Sequence, residues 1–134
     1  MRICITSSGS NLDSPIDPRF GRAQYFLLLD EEGDLKEVSS NPGVLARGGA
    51  GVAAAQKVVN QEIDILITGN IGPNAVGVLG IAKLKIFLCP MGIKAKEAFL
   101  MWKENKLTQV KEPSVPGHFG MGPGRGLRGP RNRL

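Results

Sequence analysis

Three short apolar runs, followed by three helical patterns with two further apolar runs between them, succeed one another along this chain, and this succession restricts the fold more than any other feature. Short apolar runs bounded by Gly, Pro, Ser and Asp are typical of buried strands. They predict strands at residues 2–6, 23–30, 35–40, 64–68 and 85–89. Apolar and small side chains at helical spacing predict helices at residues 49–61, 73–82 and 93–105.

The order of these elements predicts how the strands pair. Residues 31–34 (Glu-Glu-Gly-Asp) form a turn so short that the second and third strands should make an antiparallel hairpin. The later strands are separated by helices, which favours right-handed crossovers and parallel pairing. We therefore expect an α/β fold with three layers, α/β/α, around a mixed five-stranded sheet of order 3-2-1-4-5.

The positive charge of the chain is concentrated at its C-terminal end. The net charge is +5, but residues 113–134 contain four arginines, no acidic residue, and ten Gly or Pro residues. Residues 1–112 carry 13 basic and 12 acidic side chains, so this part is nearly neutral. We expect one domain over residues 1–112 and a flexible Gly/Pro/Arg-rich tail over residues 113–134. Because no apolar stretch approaches the roughly 20 residues of a membrane helix, we expect a cytoplasmic protein.

Three glycine-marked loops should meet at one edge of the predicted sheet. Ligands of open α/β sheets bind beyond the carboxyl ends of the strands where the winding reverses, here between the first and fourth strands. Glycine allows close approach of the backbone, and N–H groups at helix starts attract anions. The loops hold no carboxylate, so the pattern predicts an anion site with three arginines as charge partners. The candidate residues are Arg19, Phe20, Gly21, Arg22, Arg47, Gly48, Gly49, Ala50, Gly69, Asn70 and Gly72.

The glycines themselves allow an alternative interpretation, in which they serve only tight packing and sharp turns. For Gly49 we expect close approach of a ligand or helix, and for Gly69 a turn with positive φ.

Binding is favoured over catalysis by the residues that are missing from the loops. With His118 as the single histidine, the chain can build neither a catalytic triad nor a histidine acid–base pair. The first strand has Ile3-Cys4-Ile5 where a two-metal nuclease of the ribonuclease H type needs a carboxylate. The glycine runs also lack the spacing of nucleotide-binding fingerprints. We therefore expect that the protein is not an enzyme.

Two side chains are candidate metal ligands. Cys89 closes the fifth predicted strand and is a ligand if its thiol faces the groove, whereas inert packing is the alternative. Cys4 lies within the first strand and is expected to be buried. His118, together with Met121, would place an imidazole and a thioether in the tail, a combination that suits soft metals.

Taken together and in this order, four motifs resemble the dinitrogenase iron–molybdenum cofactor biosynthesis family. The resemblance covers about residues 1–110. The family is NifX-like and also occurs fused behind the NifB radical enzyme. The motifs are Arg19-Phe20-Gly21-Arg22-Ala23-x-Tyr25-Phe26, Asn41-Pro42, Gly48-Gly49-Ala50-Gly51-x-x-x-Ala54-Ala55-Gln56 and Gly69-Asn70-x-Gly72-Pro73-Asn74-Ala75. The resemblance implies a ribonuclease-H-like fold. It also implies non-catalytic binding, carriage or assembly of an anionic metal–sulfur cluster, either an iron–sulfur precursor or a cluster of the iron–molybdenum cofactor type. Some small members hold a molybdenum–copper sulfide cluster.

The family resemblance further implies a partner enzyme that donates or accepts the cluster. Members that act in nitrogen fixation often present His or Cys near the groove, but the first and second loops of this chain have neither. The cluster would then be held by N–H groups and arginine, or by Cys89.

A second function class remains open from the tail. Residues 124–129 (Gly-Arg-Gly-Leu-Arg-Gly) are similar to RGG-type segments that bind phosphate non-specifically, which would make the chain a nucleic-acid or acidic-partner binding module. Four arginines are few for this purpose, and Phe119 is the only aromatic residue of the tail. The sequence predicts no oligomeric state.

Overall fold

The computed structural model describes residues 1–110, which fold into one sheet and three α-helices. The strands are β1 (Ile3–Ser7), β2 (Tyr25–Leu29), β3 (Leu35–Ser40), β4 (Ile65–Thr68), β5 (Lys85–Leu88) and β6 (Thr108–Gln109). The helices are α1 (Ala50–Asn60), α2 (Pro73–Ile81) and α3 (Ala95–Lys103). Two short 3-10 helices, Phe20–Arg22 and Pro42–Leu45, flank the second and third strands.

The strand order is β3-β2-β1-β4-β5-β6. The hairpin of β2 and β3 is antiparallel, β1 pairs antiparallel with β2 and parallel with β4, and β4 pairs parallel with β5. The predicted order of the first five strands is confirmed, but the predicted number of strands is wrong. A sixth strand, β6, pairs antiparallel with β5, with Thr108 opposite Leu88 and Gln109 opposite Phe87. Two exposed polar residues have no alternating pattern, so only the neighbouring edge of β5 makes them a strand.

Helices cover both faces of the sheet, as the side chains of β1 show. Cys4 packs into a core cluster with residues of α1 and α2, whereas Ile3 and Ile5 pack into a second cluster with residues of α3. Successive side chains of a strand point to opposite faces, so one strand contributes to both clusters. The three-layer arrangement is thus confirmed, and the ribonuclease-H-like classification stays a prediction.

The long loop between β1 and β2 folds over the carboxyl edge of the sheet. The Thr6 hydroxyl donates a hydrogen bond to the Asp17 carbonyl (2.9 Å), and the Asp17 N–H donates to the Thr6 carbonyl (3.2 Å). Further on, the Asn70 N–H donates to the Pro18 carbonyl (2.6 Å), and the Phe20 N–H donates to the Asn70 carbonyl (3.1 Å). These bonds hold residues 17–20 against the loop that follows β4.

Among the helices of residues 1–110, none combines the length and the apolar character needed to cross a membrane. His118, the arginines of the predicted tail and the boundary after residue 112 lie outside the described residues.

Candidate functional site

A groove of about 370 Å³ opens at the carboxyl edge of the sheet, between the starts of α1 and α2. Three chain segments form its walls: the first 3-10 helix with the residue before it, the start of α1, and the loop from β4 into α2. The lining residues are Arg19, Phe20, Gly21, Gly49, Ala50, Gly51, Val52, Asn70, Ile71, Gly72, Pro73, Asn74 and Ala75. The three predicted glycine loops therefore do come together.

The first segment gives the groove a rigid apolar base. Phe20 is only 1% exposed and stacks on Phe26 of β2, with ring centroids 5.8 Å apart and an interplanar angle of 16°. A parallel bridge between Arg19 and Asn70 ties this segment to the loop after β4. Two of the three walls are therefore fixed relative to each other by backbone hydrogen bonds.

Both helices begin at the groove without a side-chain cap or an acidic residue in the first turn. The first hydrogen bonds of the i to i−4 type run from Ala53 N to Gly49 O (2.9 Å) and from Val76 N to Gly72 O (3.1 Å). The N–H groups that precede Ala53 and Val76 in these helices therefore have no intrahelical acceptor. Together with the positive ends of the two helix dipoles, they make the groove attractive to an anion.

Arg19 is the charged residue of the groove lining within residues 1–110. Its side chain is 66% exposed, and its Nε lies 3.6 Å from Oδ1 of Asp17, whose side chain is 7% exposed. The same Oδ1 accepts a hydrogen bond from the Arg19 N–H (3.1 Å). The buried carboxylate of Asp17 therefore orients the Arg19 backbone and side chain at the groove, a role that was not predicted from the sequence.

The chemistry of the lining is that of donors rather than metal ligands. None of the described lining residues is His, Cys, Asp or Glu. Nor does any group of three or more such side chains within residues 1–110 have an arrangement that could hold a metal ion.

The other two candidate arginines lie outside the lining. The Nη1 of Arg22 donates to the carbonyl oxygens of Gly43 (3.0 Å), Val44 (3.4 Å) and Ala46 (2.8 Å). Arg22 therefore stabilises the second 3-10 helix and the turn after it. Arg47 and Gly48 are exposed beside the start of α1, and neither contributes to the lining.

Of the two candidate metal ligands, the structure describes Cys89, which does not line the groove. Cys89 is 7% exposed and packs in the core cluster on the α3 face, away from the face that carries α1 and α2. Burial raises the pKa of the Cys89 thiol to about 11, so the thiol is protonated at neutral pH. Burial raises the pKa of Cys4 even further, in agreement with its predicted position in the core. His118 lies outside the described residues.

The reasons expected for Gly49 and Gly69 are interchanged in the structure. Gly49 has a φ of 68°, and a Cβ atom there would meet nothing within 4 Å, so its backbone conformation, and not close approach of a helix, requires glycine. The expected close approach of a ligand to Gly49 stays a prediction. Gly69 is not among the described glycines with positive φ. A Cβ on Gly69 would instead lie 2.7 Å from Pro18 Cα and 3.0 Å from Pro18 O. Close approach of two backbones requires glycine there.

The positive φ of Gly49 predicts opposite effects of alanine at Gly49 and at Gly51, which lies two residues further on in α1. Gly49→Ala should lower the free energy of unfolding by about 1 kcal/mol, because an L-residue is strained at this φ. Gly51→Ala should raise it by up to about 1 kcal/mol, since alanine stabilises a helix and its Cβ would meet Ala75 Cβ at an ordinary 3.5 Å. Urea denaturation of both variants measures the difference. Equal stabilities would contradict the assigned conformation of Gly49.

Several residues that line the groove were not predicted from the sequence, notably Val52, Asn74 and Ala75. The signal for the last two was present, because Pro73 at the first position of a helix marks the N–H groups that follow it as free donors. Nothing in the sequence distinguishes Val52 from a core residue.

Residues 1–105 of this chain match the sequence model of one protein family. That family is described as dinitrogenase iron–molybdenum cofactor. The chain belongs to this family. The match covers both glycine-marked helix starts and the loop that carries Arg19.

Two proteins of known structure share the fold over nearly their whole length. The apo form of the orange protein from Desulfovibrio gigas is 30% identical, with a TM-score of 0.80 over 85% of this chain and 96% of that one. A Thermotoga protein provisionally described as NifB, of the DUF35 family, is 31% identical, with a TM-score of 0.73 over 87% of this chain and 98% of that one.

A shorter match connects the chain to an uncharacterised protein of Methanocaldococcus jannaschii. The two are 32% identical over 66 residues, which is 47% of this chain and 56% of the relative. The chain thus spans little more than half the length of this curated relative.

Proposed function

We propose that this protein binds an anionic metal–sulfur cluster in the groove between α1 and α2 and carries it without changing it chemically. The observation that supports this most is the pair of helix starts. Both lack side-chain caps, both lack acidic residues in the first turn, and both line the same groove beside Arg19. A sulfide-rich anion would replace the missing acceptors of their N–H groups.

The energy of such binding would come from many weak donors. Each helix start contributes about 0.3–1 kcal/mol to the binding of a negative charge near its N–H groups. A hydrogen bond from Arg19 to a charged acceptor contributes about 1.5–3 kcal/mol. The apolar base formed by Phe20 excludes water from one side of the cluster and thereby strengthens these interactions.

The absence of thiolate, imidazole and carboxylate groups from the described lining favours carriage over permanent storage. A cluster held by N–H groups and one guanidinium keeps its own ligands, so binding and release break no metal–protein bond. This agrees with a carrier that receives a cluster from one enzyme and delivers it to another.

The family membership supports the class of cargo. We propose an iron–sulfur precursor or a cluster of the iron–molybdenum type, an enzyme that donates or accepts it as the partner, and a cytoplasmic location. The ribonuclease-H-like fold is part of the same proposal.

Titration with tetrathiomolybdate, a coloured molybdenum–sulfur anion, tests this site. Arg19→Glu should weaken binding at least about tenfold, because it removes a charge-assisted hydrogen bond and adds a negative charge at the groove. Arg47→Glu is the matched control, since Arg47 is exposed nearby but outside the lining, and it should change the dissociation constant less than about twofold. Visible absorption reports the dissociation constants. Equal losses in both variants would contradict a specific role for Arg19.

A further variant separates binding from stability. Asn74 is exposed in the first turn of α2, where a carboxylate stabilises the helix but faces the proposed anion. Asn74→Asp should therefore keep or raise the melting temperature while it weakens binding of tetrathiomolybdate. Binding that stays unchanged would place the anion elsewhere.

A further inference from the structure

The outer face of α2 is unusually apolar for a surface. The nine residues of α2 include no charged side chain, a composition that usually marks a helix buried on all sides. Nevertheless Ile81 is 87% exposed, and a Cβ on Gly77 or Gly80 would meet nothing within 4 Å. Within residues 1–110 this face has no covering element.

A second groove lies on this face, at the opposite ends of the two helices from the proposed cluster site. Its volume is about 490 Å³. The lining residues are Gln56, Val59 and Asn60 of α1, with Val78, Ile81 and Ala82 of α2 and its C-cap. None of these side chains is charged, so the groove fits an uncharged apolar segment better than a charged one.

The last described residue, Val110, packs against the same core cluster as Val59 and Val78, two residues that line this groove. The Val110 N–H donates to the Ile86 carbonyl (2.7 Å), and the Val110 side chain packs against the core cluster that includes Leu79, with Val78 packed against the same cluster. Because β5 begins at Lys85, three residues after the C-cap of α2 at Ala82, Val110 lies at the end of β5 that follows this helix. Residues 115–121 (Val-Pro-Gly-His-Phe-Gly-Met) contain three apolar side chains and no acidic, lysine or arginine residue.

We propose that residues 115–121 of the same chain bind in this second groove, at the C-terminal ends of α1 and α2, with Phe119 against Ile81. The five steps along the chain from Val110 to Val115 span up to about 18 Å when extended, which exceeds the roughly 14 Å length of α2, so this linker is long enough to pass around the end of the helix. A tethered segment has an effective concentration in the millimolar range, which favours it over a second copy of the chain. The inference is independent of cluster binding and differs from the sequence-based prediction of a detached tail for these seven residues.

Comparison of Phe119→Ser with Leu134→Ser in the full chain tests this proposal. The control removes a large apolar side chain from the same region of the sequence but outside residues 115–121. In Phe119→Ser the methyl resonances of Ile81 and Val78 should shift, because an aromatic ring has left their surroundings. Amide exchange in the second half of α2 should become about tenfold faster in this variant, in proportion to the apolar surface exposed. In Leu134→Ser the methyl shifts of Ile81 and Val78 and the amide exchange rates of α2 should match those of the parent.

Three results would overturn the proposal. The first is a Phe119→Ser spectrum in which Ile81 and Val78 keep their parental shifts. The second is an equal change in the Leu134→Ser control. The third is a shift difference that disappears on dilution, which would show that a second copy covers the groove. Unchanged resonances of β1 and β4 verify that each variant keeps the fold.

Discussion

Gly43→Ala should prevent folding or lower the free energy of unfolding by at least about 3 kcal/mol. Gly43 is buried in the second 3-10 helix, where a Cβ would overlap the Gly21 carbonyl oxygen and lie 2.7 Å from the Ala50 carbonyl oxygen. Both neighbours are backbone atoms, which cannot rotate away as a flexible side chain could. Because Gly21 and Ala50 also line the groove, the added methyl group would push apart two of its walls.

Gly48→Ala is the matched control for this prediction. Gly48 is exposed, has no positive φ, and a Cβ there would meet nothing within 4 Å. Its stability in urea should stay within about 0.5 kcal/mol of the parent. If Gly43→Ala were as stable as Gly48→Ala, the close packing of Gly43 between the first 3-10 helix and α1 would be incorrect.

Asn41→Ala should lower the free energy of unfolding by about 2–3 kcal/mol, because it leaves buried polar groups without partners. Asn41 is buried, with only 3% of its surface exposed. Its Oδ1 accepts from the Gly43 N–H (2.9 Å), and its Nδ2 donates to the carbonyls of Phe20 (3.2 Å) and Gly21 (3.3 Å). This one amide therefore joins the two 3-10 helices that support the groove.

Asn41→Asp separates the loss of donors from the loss of shape. Aspartate keeps the acceptor for Gly43 but places an oxygen opposite two carbonyl oxygens, so it should destabilise at pH 7 at least as much as alanine. Asn60→Ala, in an exposed residue at the end of α1, should have little effect. Chemical denaturation measures the free energy of unfolding of Asn41→Ala, Asn41→Asp and Asn60→Ala. An aspartate variant as stable as the parent would show that the Nδ2 hydrogen bonds contribute nothing.

The position of the groove was predictable from local patterns. Apolar runs and helical spacing established five strands, their order and the helices between them, because burial of one or both faces imposes a period on the sequence. Glycine and proline marked the starts of α1 and α2, and these starts meet where the winding of the sheet reverses. Arg19, Gly49 and Asn70 were predicted for the site and lie in its lining.

The roles of individual side chains depend on contacts between segments far apart in the chain. Arg22 and Arg19 are three residues apart and look alike in the sequence, yet one donates to carbonyls of residues 43–46 and the other lies at the groove. Gly69 needs its missing side chain because Pro18 approaches it, and β6 exists because the edge of β5 is available.

The sequence by itself thus determined the order of the first five strands and the place of the groove, since these follow from the periodicity of burial and from the backbone preferences of Gly and Pro. Only the tertiary structure decided which arginine lines the groove, why each glycine is required, and that Cys89 faces the α3 side of the sheet. The physical reason is that local patterns reflect the backbone and the burial of each segment. The direction and partners of a polar side chain are set by atoms that other segments bring to it.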